Sequence, residues 1–129
     1  MATGRILLVD DEPPLLKMMS IYLQRRGYSV GTSTTTAQAS ALIDAEPLSY
    51  AVAVLDATMA GLSMEELALK MLQANPSLRV LATSGYPVDM SRLETAAPGR
   101  VAFLHKPFTP EMLAESVRGM LAAQEKKEI

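Results

Sequence analysis

Five short apolar runs, separated by stretches with helical periodicity, constrain this chain more than any other feature of its sequence. The runs fall at 5–9, 28–32, 50–55, 78–83 and 100–104. Such alternation is the signature of β-α units and a parallel sheet. ILLV, AVAVL and RVLA within these runs are apolar at nearly successive positions, as strands covered by helices on both faces should be. A first helix is expected at about 13–26, with proline in its opening turn, a broad apolar face from Leu15 to Leu23, and Arg25-Arg26-Gly27 as a basic last turn and glycine stop. A second is expected at about 35–45, capped by one of the threonines at 34–36. A third starts at Ser63, which has capping-box spacing to Glu66, and runs to about 74. A fourth, at about 88–96, is short and stopped by Pro98-Gly99; a fifth covers about 110–123 and leaves a polar end at 124–129.

Five strands and five helices in strict alternation predict one α/β domain over 1–129, with its core at about 4–123. With right-handed crossovers the result is an open, doubly wound (βα)5 sheet. A chain of 129 residues buries roughly two-thirds of its unfolded surface and needs no metal or disulfide staple. Cysteine is absent, which excludes disulfides and thiolate metal sites. Twelve basic and 14 acidic residues give a net charge of −2, so no global basic field argues for direct nucleic-acid binding. No apolar run approaches the ~20 residues that span a bilayer. The opening MATGRILLVDDEP has too short an apolar stretch for a secretory leader. The expectation is a cytoplasmic protein with no membrane association.

In open α/β sheets the site forms beyond the carboxyl ends of the strands, near the point where strand order reverses. Here the first strand leads into Asp10-Asp11-Glu12, the third into Asp56, the fourth into Thr83-Ser84-Gly85 and the fifth into Lys106-Pro107. Three carboxylates, a hydroxyl and an ammonium therefore converge. Carboxylates a few ångströms apart repel one another and call for a cation. An all-oxygen set with few protein ligands and room for water suits Mg²⁺ better than Ca²⁺. A cation beside a carboxylate can neutralise an incoming phosphoryl group, with Lys106 and Ser84 on its other side. Asp side chains serve as phosphoryl acceptors, and positioning with charge stabilisation does most of the catalysis in such transfers.

ILLVDDEP (6–13), VLDATM (54–59), VLATSGYP (80–87) and FLHKPF (103–108) together resemble the receiver domain of bacterial response regulators in two-component signalling. The likeness covers nearly the whole chain, in order and with family-like spacing. It implies a flavodoxin-like fold, CheY-like, with strands in the order 2-1-3-4-5. It implies Asp56 as phosphoacceptor and Asp10, Asp11, Asp56 and the Thr58 backbone carbonyl as the Mg²⁺ ligands. By the same resemblance Lys106 pairs with the phosphoryl oxygens, Ser84 swings toward them, Phe103 is coupled to that swing, and the Lys106–Pro107 bond is cis. The implied partners are a sensor histidine kinase or histidine phosphotransfer domain, and a downstream protein or attached domain reached through the fourth helix, fifth strand and fifth helix. The protein is expected to assist its own phosphorylation and dephosphorylation without being a turnover enzyme, as a monomer or weak homodimer. SGYP after the fourth strand looks more like receivers attached to hybrid histidine kinases.

The sequence departs from the family after the acceptor. Where the family usually has Met-Pro-Gly and then Asp-Gly, this chain has Met59-Ala60-Gly61-Leu62-Ser63-Met64. Losing proline at 60 predicts a less rigid loop. That departure sustains the alternative of a degenerate receiver that acts as a phosphorylation-independent docking module. An aspartate-nucleophile phosphatase would need an Asp-x-Asp pair after its first strand, and these aspartates are adjacent. A flavin-binding domain would need a phosphate-cradling loop there, where three acidic residues would repel a phosphate. His105, the only histidine, invites a phosphohistidine role, but strand alternation aims it away from the face of Lys106, so none is expected of it. Met18, Met19, Met59 and Met64 are the methionines placed nearest an interface, the others filling core.

Overall fold

The computed structural model describes residues 4–128, with side chains to residue 123. The elements alternate throughout: β1 (Arg5–Val9), α1 (Pro13–Arg25), β2 (Ser29–Ser33), α2 (Thr36–Ala45), β3 (Val52–Asp56), α3 (Met64–Ala74), β4 (Arg79–Ser84), α4 (Ser91–Ala96), β5 (Val101–His105) and α5 (Pro110–Glu128). All four strand pairings are parallel, and the sheet order is β2-β1-β3-β4-β5. The doubly wound, flavodoxin-like fold expected from the sequence is the one observed.

Successive side chains of a strand face opposite ways, and this parity sorts the core into two halves. Leu7, Val9, Ala53, Leu55, Val80 and Ala82 pack with Ala39 and Ile43 of α2, Leu67 and Met71 of α3, and Leu93 of α4. Ile6, Leu8, Val52, Val54 and Leu81 pack on the other face with Leu16, Met19 and Leu23 of α1 and Leu113 and Val117 of α5. Continuous apolar runs were needed in the central strands because both faces are covered.

Several element bounds differ from the sequence reading. β2, β4 and β5 each begin and end one residue later than the apolar runs that mark them, and β3 begins two residues later. Tyr28, Tyr50 and Leu78 are buried but lie in the approach to a strand, before the ladder begins. Apolarity reports burial, not ladder pairing, so the runs start early. α4 covers 91–96 only, because Val88 and Met90 pack against the core from the preceding loop. Asp89 Oδ1 there accepts from the Ser91 N–H at 2.9 Å. α5 continues to Glu128 instead of ending near 123, while Ile129 lies outside the described residues. Met19 and Met64 are core residues, not interface ones.

The caps follow the sequence signals. Thr35 accepts from the Gln38 N–H and starts α2. Ser63 accepts from the Glu66 N–H at 3.0 Å and starts α3, satisfying a donor that the first helical turn leaves open. At the sheet edge away from the acidic residues, the Arg100 guanidinium donates to the carbonyls of Leu72, Asn75 and Leu78. This closes the C-terminal end of α3.

Candidate functional site

β1 and β3 are adjacent and parallel, with Val9 beside Leu55. Asp10 and Asp56, the next residues along, therefore emerge at the same edge of the sheet. β4 flanks β3 with Thr83 beside Asp56, and β5 flanks β4 with His105 beside Ser84. The Lys106 N–H donates to the Ser84 carbonyl at 2.8 Å. Register alone thus brings four segments far apart in sequence to one place.

Asp10 and Asp56 are almost fully enclosed, at 2% and 4% exposure, whereas Asp11 is exposed. One carboxylate oxygen from each of Asp10, Asp11 and Asp56 lies within 4.8 Å of the other two. Asp10 Oδ1 accepts from the Glu12 N–H at 3.0 Å, and Asp56 Oδ1 accepts from both the N–H and the hydroxyl of Thr58, at 3.0 and 2.8 Å. The remaining oxygen of each buried carboxylate faces one cation. Lys106 Nζ donates to Asp10 Oδ2 at 3.0 Å and to Asp56 Oδ2 at 3.4 Å, with Glu12 at 3.8 Å.

Burial pushes the Asp10 carboxyl above its ordinary value, against the opposing pull of the Lys106 hydrogen bond. Burial alone would lower Lys106, but its hydrogen bond to Asp10 and the charges of Asp10 and Asp56 outweigh it and raise the ammonium's pKa. One ammonium facing two enclosed carboxylates, with a third exposed carboxylate beside them, leaves net negative charge. Such a donor set fits a hard divalent cation held by oxygen.

Ser84 is buried, and its hydroxyl accepts from the Tyr86 N–H at 3.0 Å. Ser84 thus ends β4 next to Thr83, the register partner of Asp56, with its oxygen engaged in the β4–α4 turn. Phe103 is half-buried on β5 and packs against the α2–α3–α4 half of the core. His105 is exposed, with its ring edge-on to Phe103 at 6.2 Å between centroids. The Lys106–Pro107 bond is cis. An open cleft of about 520 Å³ adjoins Lys106 and is lined also by Glu12, Leu15, Tyr86 and Phe108. Tyr86 is 72% exposed there.

Two side chains had not been singled out from sequence. The Thr58 hydroxyl binds the same Asp56 oxygen as its own backbone N–H; an aspartate followed two residues later by threonine is a readable signal for such a turn. Thr36, 20 residues before Asp56 in the chain, reaches the loop after it. Its hydroxyl donates to the Ala60 carbonyl at 3.3 Å and accepts from the Leu62 N–H at 3.1 Å.

A parallel five-stranded sheet with an enclosed acidic pair, a facing lysine and a hydroxyl at one edge defines a receiver. Residues 6–118 match the response regulator receiver domain, and the chain belongs to that family. It is 30% identical over 110 residues to the alginate biosynthesis transcriptional regulatory protein AlgB of Pseudomonas aeruginosa, covering 85% of this chain and 24% of AlgB. It is 28% identical over 123 residues to the sensor kinase CckA of Brucella abortus, covering 95% of this chain and 13% of CckA. The chain therefore spans a quarter or less of either relative. Among solved structures, a CheY-like receiver domain protein from Methanospirillum hungatei superposes with a TM-score of 0.83 at 26% identity, covering 98% of this chain and 99% of that one. Among the described residues, no helix is long and apolar enough to cross a membrane.

Proposed function

We propose that this receiver accepts a phosphoryl group from a phosphohistidine onto Asp56 and signals through the surface of α4, β5 and α5. The observation that carries the reading is the pairing of Asp56 with Asp10, Asp11 and Lys106 at one sheet edge. Asp10, Asp11, Asp56 and the Thr58 carbonyl are the groups that would hold Mg²⁺. When bound, the ion supplies charge neutralisation for the phosphoryl oxygens.

The protein's own residues do the rest. An Asp56 carboxylate oxygen attacks phosphorus; a P–O bond forms, the donor's P–N bond breaks, and the imidazole nitrogen leaves with the electron pair. Lys106 stays close enough to meet the new phosphoryl oxygens. Ser84 accepts from the Tyr86 N–H and keeps its own hydroxyl proton to donate to them, and Phe103 lies on the neighbouring strand, where a movement of Ser84 would be felt. This couples a local charge event to a two-state surface, as a switch requires. The protein assists its own phosphorylation and dephosphorylation and does not turn over a separate substrate. Its partner is a sensor histidine kinase or histidine phosphotransfer domain in the cytoplasm. The open cleft beside Lys106 gives that partner access. Its output is a downstream protein, or a further domain of a larger protein such as a hybrid kinase.

The test is intact-protein mass after incubation with a small-molecule phosphodonor, with and without Mg²⁺, for the natural sequence and Asp56→Asn. Gain of one phosphoryl group that requires both Mg²⁺ and Asp56 is the expected result. No gain under any condition would overturn this reading in favour of a phosphorylation-independent docking module.

A further inference from the structure

We propose that Thr36 is a positioning residue for the cation site, holding in place the loop that presents the Thr58 carbonyl. The inference rests on the Mg²⁺ site just proposed and adds a residue from a different part of the chain. The loop between β3 and α3 lacks the proline usual in receivers and was expected to be less rigid. The structure shows what ties it instead. Thr36 is buried in the first turn of α2, and its hydroxyl spans the loop's midpoint, donating to Ala60 and accepting from Leu62.

Gly61 is matched to this arrangement. Its φ is +96°, a backbone region that side chains disfavour, and a Cβ built there would stand 2.4 Å from Thr36 Oγ1. The hydroxyl therefore occupies the space that the missing side chain leaves. The loop is tied at three places: Thr58 to Asp56, Ala60 and Leu62 to Thr36, and Ser63 to the start of α3. Thr58 and Ala60 are separated by one residue, Met59, which is itself half-buried against the core. A shift at Ala60 is therefore passed to the Thr58 carbonyl with little slack. Because Thr36 belongs to α2 and not to the acidic strand ends, it moves the site only through the loop.

Thr36→Val keeps the volume and removes the hydroxyl; Thr36→Ser keeps the hydroxyl. Amide hydrogen exchange of the metal-free proteins reads the tie, Mg²⁺ titration by calorimetry or NMR reads the site, and thermal melts check the fold. Thr36→Val is expected to speed Leu62 amide exchange about tenfold and to weaken Mg²⁺ binding about three- to tenfold, the order that one or two lost hydrogen bonds imply. Thr36→Ser is expected to stay within about twofold of the natural protein on both. If Thr36→Val does not fold, Gly61→Ala disturbs the same tie from the loop side and is expected to weaken Mg²⁺ binding likewise. Mg²⁺ affinity unchanged in a folded Thr36→Val or Gly61→Ala would overturn the proposal, as would failure of serine to restore it. A natural protein that binds no Mg²⁺ would instead overturn the function proposed above, and this inference with it.

Discussion

At the residue scale, Lys106 compensates enclosed carboxylates that the proposed Mg²⁺ would also compensate, so lysine and ion compete. Without an ion it is the cation facing Asp10 and Asp56, and its side chain is only 19% exposed. Removing one member of an enclosed charge set leaves the others uncompensated. Lys106→Met is expected to lower the unfolding free energy of the metal-free protein by about 1–3 kcal/mol in urea titrations, less than for a fully buried pair because water still reaches the ammonium. Added Mg²⁺ should restore more stability to this variant than to the natural protein, since the ion no longer competes with a fixed cation. Phosphoryl gain should nevertheless fall. Equal Mg²⁺ stabilisation of both proteins would show that Lys106 does not compensate these carboxylates. Asp10, Asp11, Asp56 and Lys106 were all legible in the sequence because each follows an apolar run, and parallel strands deliver their ends to one edge. Thr36 was not. Its partners lie 24 and 26 residues away, and nothing in a run of threonines says which one turns inward.

Element by element, the caps and the β3–α3 loop carry the quantities that local sequence decides. Ser63→Ala removes the oxygen that accepts from the Glu66 N–H and is expected to cost about 1 kcal/mol of stability. Thr35→Ala at the start of α2 should cost a similar amount, about 1 kcal/mol, by the same loss. Gly61→Ala combines a positive φ with a clash and is expected to cost about 1–3 kcal/mol in the same melts. A smaller loss at 61 than at 63 would mean that the loop relaxes freely. The start signals for α1, α2 and α3 were readable because proline, threonine and serine act on their own neighbourhood. The beginning of α4 was not, because Val88 and Met90 carry an apolar pattern that the loop spends on the core. The one-residue offsets of β2 and β4 have the same origin in Tyr28 and Leu78, where burial precedes pairing.

For the molecule as a whole, the sheet separates stability from chemistry. Leu81 is fully buried at the middle of β4, and Leu81→Ala is expected to cost about 3–4 kcal/mol in denaturant unfolding. It should leave the acidic edge's choice of ion unaltered in whatever fraction remains folded. At the opposite edge Arg100 holds three carbonyls. The acidic pair does the reverse at Asp10, whose burial opposes its charged form more than Lys106 supports it. Asp56→Asn, which removes the proposed acceptor and one of the carboxylates that repel each other at this edge, is expected to leave the melting temperature unchanged or raise it.

The placement of Asp10, Asp11, Asp56 and Lys106 at or just past the carboxyl ends of strands has a consequence for descent. Asp10, Asp11, Asp56 and Lys106 all lie outside the two apolar halves of the core, so a lineage that stops using the chemistry can replace the set together and keep the scaffold. Descendants with intact architecture and silent sites are the expected by-product of this layout.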